Sequence, residues 1–357
     1  MRAPPLSPLS RAAAGALLVA ALSAHGFTPA TAASDAVAAP QSNPAHRDSI
    51  GTGELLFSLP AMTGILEGSA FRGTTGDYFF GDVRLRCVWV RRPQGVVDRF
   101  SAPAAGLLGV FGLAVDESRG CLWAATSSVK EMEGYRPADQ GRAALVQISL
   151  ADGRILRTAA LPANPRAHLV GDLAVDADGT VYATDSVAPV IWRLVPTDAQ
   201  PEPWIKSDIF KSLQGVVLLP DSKTMLVSDY VTGLWLIDLG TRMISPLAPP
   251  PSATLAGVDG LAVTPDGAVI GVQNGIEPRR VIRFWIDRVG KAVTRVEILA
   301  QGSPAMADPT LGTIVGDRFV FVGTAGWDRF APGGSLDPSA PRPVPIVAAR
   351  LSAPARN

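Results

Sequence analysis

The chain has 357 residues, 47% of them hydrophobic and 18% charged, which is enough to bury a substantial core, and 35 Gly with 31 Pro fit many turns between short strands. Its 32 basic and 32 acidic residues cancel, and no basic run or basic–aromatic interleaving marks a nucleic-acid surface, so that partner class is excluded.

At the N-terminus, Arg2 and Arg11 precede an apolar stretch, Ala12 to Leu22, that is too short to span a bilayer. Ala30-Thr31-Ala32 supplies a small-x-small cleavage pattern. Residues 1–32 therefore read as a secretory signal peptide, with an uncleaved anchor as the alternative. The expectation is a secreted chain, periplasmic in a Gram-negative cell, monomeric, and without stable membrane insertion once the signal is removed. Residues 33–50, rich in Ala, Ser, Pro and Asn, read as a flexible lead-in.

Glu54 to Leu59 is a strand candidate with no partner nearby in sequence. Then a phrase begins to repeat. It reads Leu66-Glu67-Gly68-Ser69-Ala70-Phe71, Val110-Phe111-Gly112-Leu113-Ala114-Val115, Val170-Gly171-Asp172-Leu173-Ala174-Val175, Leu213-Gln214-Gly215-Val216-Val217-Leu218, Val258-Asp259-Gly260-Leu261-Ala262-Val263 and, more loosely, Ala307-Asp308-Pro309-Thr310-Leu311-Gly312. Each copy is followed by further short strand candidates, such as Asp77–Asp82 and Cys87–Val90 after the first. The copies recur every 43 to 60 residues, the length of a four-stranded propeller blade. The longest interval is explained by a polar insertion, Lys130 to Arg142. No intervening segment has the helical period that a solenoid crossover needs. The expected fold is all-β: a six-bladed β-propeller of four-stranded antiparallel blades over 51–357. The candidate strands at 54–59 and 344–351 should share one blade and close the ring, removing exposed sheet edges.

The innermost strand of a blade runs along the central channel, so the second position of each phrase converges on one mouth. That column reads Glu67, Phe111, Gly171, Gln214, Asp259 and Asp308, with Asp172 one residue later in the third copy. Clustered carboxylates repel one another, and a bound cation relieves that cost. Carboxylate and amide oxygens without His or Cys suit a hard ion, Ca²⁺ before Mg²⁺. The plainer reading of any one such acid is a turn or cap residue. A second column, Asp82, Thr126, Asp185, Asp229 and Gln273, reads as turn starts rather than a second metal shell. Trp89, Trp192, Trp235 and Trp285 read as inter-blade packing. Cys87 and Cys121 read as two small buried thiols, although export permits a disulfide.

The Glu67-Gly68 opening, the strand Gly76 to Asp82 after it, and Asp259-Gly260 resemble the regucalcin/gluconolactonase family of six-bladed propellers, which is related to the paraoxonase and strictosidine synthase propellers. The resemblance extends over roughly 54 to 351. It implies one divalent ion, often Ca²⁺, held by Glu67, Gln214 and Asp259, with Gln214 standing where the family has Asn. Leu169 stands where the family has a substrate-binding Arg. The implied chemistry is hydrolysis of a small lactone or ester, with a metal-polarised carbonyl and a carboxylate base. Asp259 could serve as ligand and base by turns, or Asp172 could be the base. Asp308 and His168 are further candidates for contacting substrate, His168 ranking below Asp172 because a lone loop histidine is more often structural. Two other readings stay open: a non-catalytic propeller presenting Lys130–Arg142 and Ala331–Pro343 to a ligand or protein, and a strictosidine-synthase-like branch that has lost part of its metal site.

Overall fold

Each copy of the repeated phrase becomes the first strand of a four-stranded antiparallel sheet, and six such sheets form the fold. The computed structural model of the chain describes residues 51–62, 64–101, 106–163, 167–331, 335–336 and 341–351. The expected signal peptide and lead-in lie outside the described residues, as does much of the Ala331–Pro343 excursion.

From the inner to the outer edge, blade one is Leu66–Arg72, Asp77–Asp82, Cys87–Arg91 and Val97–Arg99. Blade two is Gly109–Asp116, Cys121–Ser127, Ala143–Ser149 and Ile155–Ala160. Blade three is Val170–Val175, Val181–Asp185, Val190–Leu194 and Glu202–Lys206. Blade four is Leu213–Leu218, Thr224–Asp229, Gly233–Asp238 and Ile244–Pro246. Blade five is Val258–Val263, Val269–Gln273, Arg280–Asp287 and Ala292–Gln301. Blade six is Gly312–Val315, Arg318–Val322, Arg342–Arg350 and, outermost, the N-terminal strand Glu54–Met62. The ring is thus closed by pairing the two ends of the chain, Leu55 against Val347 and Leu59 against Val344.

Burial follows from blade stacking. The second strands have neighbours on both faces and are almost wholly buried, completely so in Cys121–Ser127, Val181–Asp185 and Val269–Gln273. The outermost strands meet solvent, and Ile155–Ala160 alternates accordingly. Apolar clusters fill the gaps between blades; one joins Trp123 and Leu145 of blade two to Val181 and Trp192 of blade three. Of the four tryptophans expected between blades, Trp89, Trp192 and Trp235 pack into such clusters. Trp285 instead has the guanidinium groups of Arg283 and Arg295 over its ring, at 4.8 and 4.7 Å.

Blade six departs from the sequence reading in one respect. Its inner strand starts at Gly312, four residues beyond Asp308. Pro309 has no N–H to donate, so regular pairing cannot begin at the phrase itself. The chain is held there by Asp308 N–H to Gly323 O and Thr310 N–H to Val322 O. Cys87 and Cys121 are buried free thiols. Among the described residues the helical segments are three-residue 3-10 turns, and no helix is long and apolar enough to cross a membrane.

Candidate functional site

In blades one to five the inner strand slips register against the second strand at the column. The slips fall between Leu66 and Ser69, Val110 and Leu113, Val170 and Asp172, Leu213 and Val216, and Val258 and Leu261. A β-bulge frees one residue from the ladder and re-aims its side chain. All six column residues, Glu67, Phe111, Gly171, Gln214, Asp259 and Asp308, line one cavity of about 440 Å³ where the inner strands converge.

The residue after the column sets how closely the blades approach. A Cβ on Gly68 would lie 2.0 Å from Phe111 O, one on Gly112 3.0 Å from Gly171 O, and one on Gly215 2.4 Å from Asp259 O. Each glycine therefore packs against the column backbone of the next blade, where no side chain fits. Blade three carries Asp172 at this position. Its carboxylate turns away from the mouth and is not part of the cavity lining. Oδ1 accepts the Leu173 N–H at 2.9 Å and Oδ2 the Val216 N–H of blade four at 3.2 Å. Burial pushes Asp172 up to about 8, the two amides acting against the shift and the charge of Asp259 adding to it.

The acids that do face the cavity are each held. Glu67 Oε1 accepts from Trp327 Nε1. Asp259 Oδ2 accepts from Asn274 Nδ2 at 2.8 Å, and Asn274 Oδ1 accepts from the Tyr230 hydroxyl at 3.0 Å. Asp308 Oδ1 pairs with Arg279 Nη1 at 3.1 Å. Burial raises Glu67 well above the ordinary carboxylate range, and the neighbouring charge of Asp259 raises it further. Asp259 is raised by burial, tempered by Asn274, with Asp308 adding to the shift. Gln214 donates Nε2–H to Ser212 Oγ at 3.0 Å. Its Oε1 lies beside Gly171, where a Cβ would come within 3.8 Å of it.

His168 borders the cavity, but both of its ring nitrogens are engaged, Nδ1 with Asp185 Oδ2 at 2.7 Å and Nε2 with Pro162 O at 3.1 Å. Burial opposes its charge, yet the bond and charge of Asp185 and the Pro162 carbonyl carry its pKa upward. It stands edge-on to Trp192 and acts as a fixed brace.

The second column does what turn residues do. Asp82 accepts from the backbone N–H of Ile65 and Leu85, and Asp229 from those of Lys211, Ser212, Val231 and Thr232. Asp185 accepts from Leu169, Val187 and Ala188. Each fixes the loop leading into the bulged strand. The blade-two insertion folds over the cavity with Lys130, Glu131, Tyr135 and Gln140 at its edge. Arg136 and Arg142 brace it by pairing with Asp139 at 3.0 and 2.8 Å.

Asn274, Tyr230, Arg279 and Trp327 were not legible as site residues. A signal existed for two of them. The position just after the second column reads Ser127, Ser186, Tyr230 and Asn274 in blades two to five, polar throughout.

The donor set can be tested against a divalent ion. Glu67, Asp259 and the Gln214 amide offer only oxygen; Gln214 lines the cavity, and its Oε1 accepts only a long hydrogen bond, 3.5 Å, from Ser186 Oγ. Among the described residues no group of three His, Cys, Asp or Glu side chains is gathered closely enough to hold an ion, so an amide has to complete the set. Two buried carboxylates that repel each other and an amide oxygen fit a hard cation chemically.

No protein-family model and no curated protein matches the chain. Solved structures do. The gluconolactonase of Xanthomonas campestris aligns at 16% identity over 80% of this chain and 86% of its own, with a TM-score of 0.55. The PQQ-bound aldose sugar dehydrogenase of Streptomyces coelicolor aligns at 16% identity over 84% and 98%, with a TM-score of 0.57. A luciferin-regenerating enzyme aligns at 16% identity over 82% and 92%, with a TM-score of 0.55. The chain shares their propeller fold. The resemblance to gluconolactonase-type propellers seen in the sequence is matched in fold by the gluconolactonase and the luciferin-regenerating enzyme among them. At such identities the shared property is the fold, and propellers serve many chemistries.

Proposed function

We propose that the mouth cavity is a hydrolytic site for a small lactone or ester, with a divalent cation, Ca²⁺ first, held by Glu67, Gln214 and Asp259. The observation that carries this reading is the convergence of all six column positions, five of them at bulges, on one small-molecule-sized cavity. The likeness to a gluconolactonase structure supports it. A cation held there supplies positive charge beside a carbonyl oxygen.

The chain's own groups do the rest. Asn274 fixes one carboxylate oxygen of Asp259, and Tyr230 fixes Asn274 in turn. Asp259 Oδ1, left free by the Asn274 bond to Oδ2, would then take the proton of the attacking water. A base so placed contributes ~10²–10⁴-fold in rate. Asp172 is the lesser candidate for this role, because backbone amides occupy both its oxygens outside the cavity lining. Trp327 holds Glu67, and the blade-two insertion limits water at the mouth.

One observation favours a second reading, a non-catalytic binding propeller. The mouth's polar groups already satisfy one another, Asp308 with Arg279, Asp259 with Asn274 and Gln214 with Ser212. The test is calcium titration by calorimetry on the mature chain, wild type against Asp259→Asn and Glu67→Gln. One site lost in both variants, followed by turnover within a panel of lactones and aryl esters, supports the hydrolase. No binding in the wild type removes the metal site and favours the binding propeller. Export belongs to the same proposal; N-terminal sequencing of the secreted chain should start after Ala32.

A further inference from the structure

The cavity is chemically two-sided. Glu67, Gln214, Asp259, Asn274 and Asp308, from blades four, five, six and one, give it its oxygen-rich side. Blades two and three supply Phe111, Val129, Leu169 and Val187. These four belong to one apolar cluster, backed by Ile65, Val83 and Phe330 and extended by Trp327. Ser128 stands in the same wall, but its hydroxyl is buried without a hydrogen-bond partner and is not exposed to the cavity. The wall itself is therefore apolar, with Val129 and Val187 its more open members, and the polar groups of Lys130, Glu131, Tyr135 and Gln140 stand at the cavity's edge above it.

We infer that the site takes an amphiphilic substrate: a lactone or ester whose carbonyl end faces the oxygen-rich side and whose alkyl or aryl substituent lies on the Phe111–Val187 wall. This rests on the hydrolytic reading for the carbonyl end only. A polyhydroxylated ring would have to bury hydroxyl groups against that wall without partners, which costs affinity. A saturated chain gains about fourfold in affinity for each methylene it buries there. The cavity's volume of about 440 Å³ accommodates a ring with a short chain.

Two unreactive lactams separate this inference from the question of catalysis. Calorimetry on the mature chain would compare a γ-lactam bearing a hexyl chain with glucono-δ-lactam. The hexyl lactam should bind at least about tenfold more tightly. Val129→Asn and Val187→Asn, at half-buried positions, should each weaken it by about fivefold or more and leave glucono-δ-lactam unchanged, with melting curves confirming that both variants fold. Equal or tighter binding of glucono-δ-lactam, no effect of the wall variants, or no binding of either lactam overturns the inference. Wall-dependent binding of the hexyl lactam without turnover of the corresponding lactone sustains this inference and sinks the hydrolytic reading. Turnover of gluconolactone as fast as the hexyl lactone does the reverse.

Discussion

Replacing Gly215 by Ala tests the idea that the column is aimed by backbone-to-backbone packing between blades. An ideal Cβ on Gly215 falls 2.4 Å from Asp259 O and 2.8 Å from Leu261 N, against an ordinary contact distance of 3.4 Å or more. The inner strands of blades four and five must therefore separate by about 1 Å at this point. Both sides of the clash are backbone, so no rotamer change relieves it, and overpacking of this kind costs about 3 kcal/mol. Ala restricts the unfolded chain and returns roughly 0.5–1 kcal/mol. The net loss of about 2 kcal/mol lowers the melting temperature by about 3 °C in a chain of this size. Gly73→Ala is the control: its φ is not positive, and its Cβ would meet Glu117 Oε1 at an ordinary 3.5 Å. Scanning calorimetry of wild type and the two variants decides the matter. If Gly215→Ala melts within the error of Gly73→Ala, the interlock reasoning is wrong.

Three further outcomes are expected. Asn274→Ala removes the donor that lowers the Asp259 pKa, so the acidic limb of the pH–rate profile should move to higher pH; activity on the best ester should fall about 10–100-fold in steady-state assays. Asp172 is raised to about 8 when folded, so its contribution to stability is full below its unfolded value near 3.8 and is lost as pH rises through about 8. Urea titrations across that window should slope downward in the wild type and be flatter in Asp172→Asn, while activity at neutral pH persists. His168 is held above its usual 6.5, so its pairing with Asp185 stabilises fully below about 6.5 and fades as pH rises through the folded value. Melting temperatures of His168→Gln should accordingly diverge from wild type most at acidic pH.

The ring architecture was legible because the repeated phrase carries both of its own causes. The column residue takes the bulge, and the glycine after it permits the close approach of the next blade, so both had to recur. Asp172 misled for the same reason. It replaces the glycine in the third copy, as Pro309 does in the sixth, and only the folded chain brings the displaced acid between blades two and four. The bracing partners were hidden because they occur once. Trp327 follows the second strand of blade six and reaches back to Glu67 across 260 positions, a contact that no local pattern encodes. Arg279, bonded to Asp308, comes from a neighbouring blade and likewise has no repeat counterpart. His168 borders the cavity, and its two acceptors fix it as a support.

The pairing of Glu54–Met62 with Arg342–Arg350 has a consequence for the order of events in assembly. The segment that emerges from the ribosome before any blade is the one whose partner is made almost last. Until then blade six has an open edge and the circle lacks its clasp. Blades one to five draw all their strands from consecutive chain and can form as it lengthens. The mouth joins residues of the first blade to residues of the sixth, so it exists only after the clasp engages. A truncation that spares every residue of the cavity but deletes the first strand would leave a nearly complete set of blades with no finished mouth.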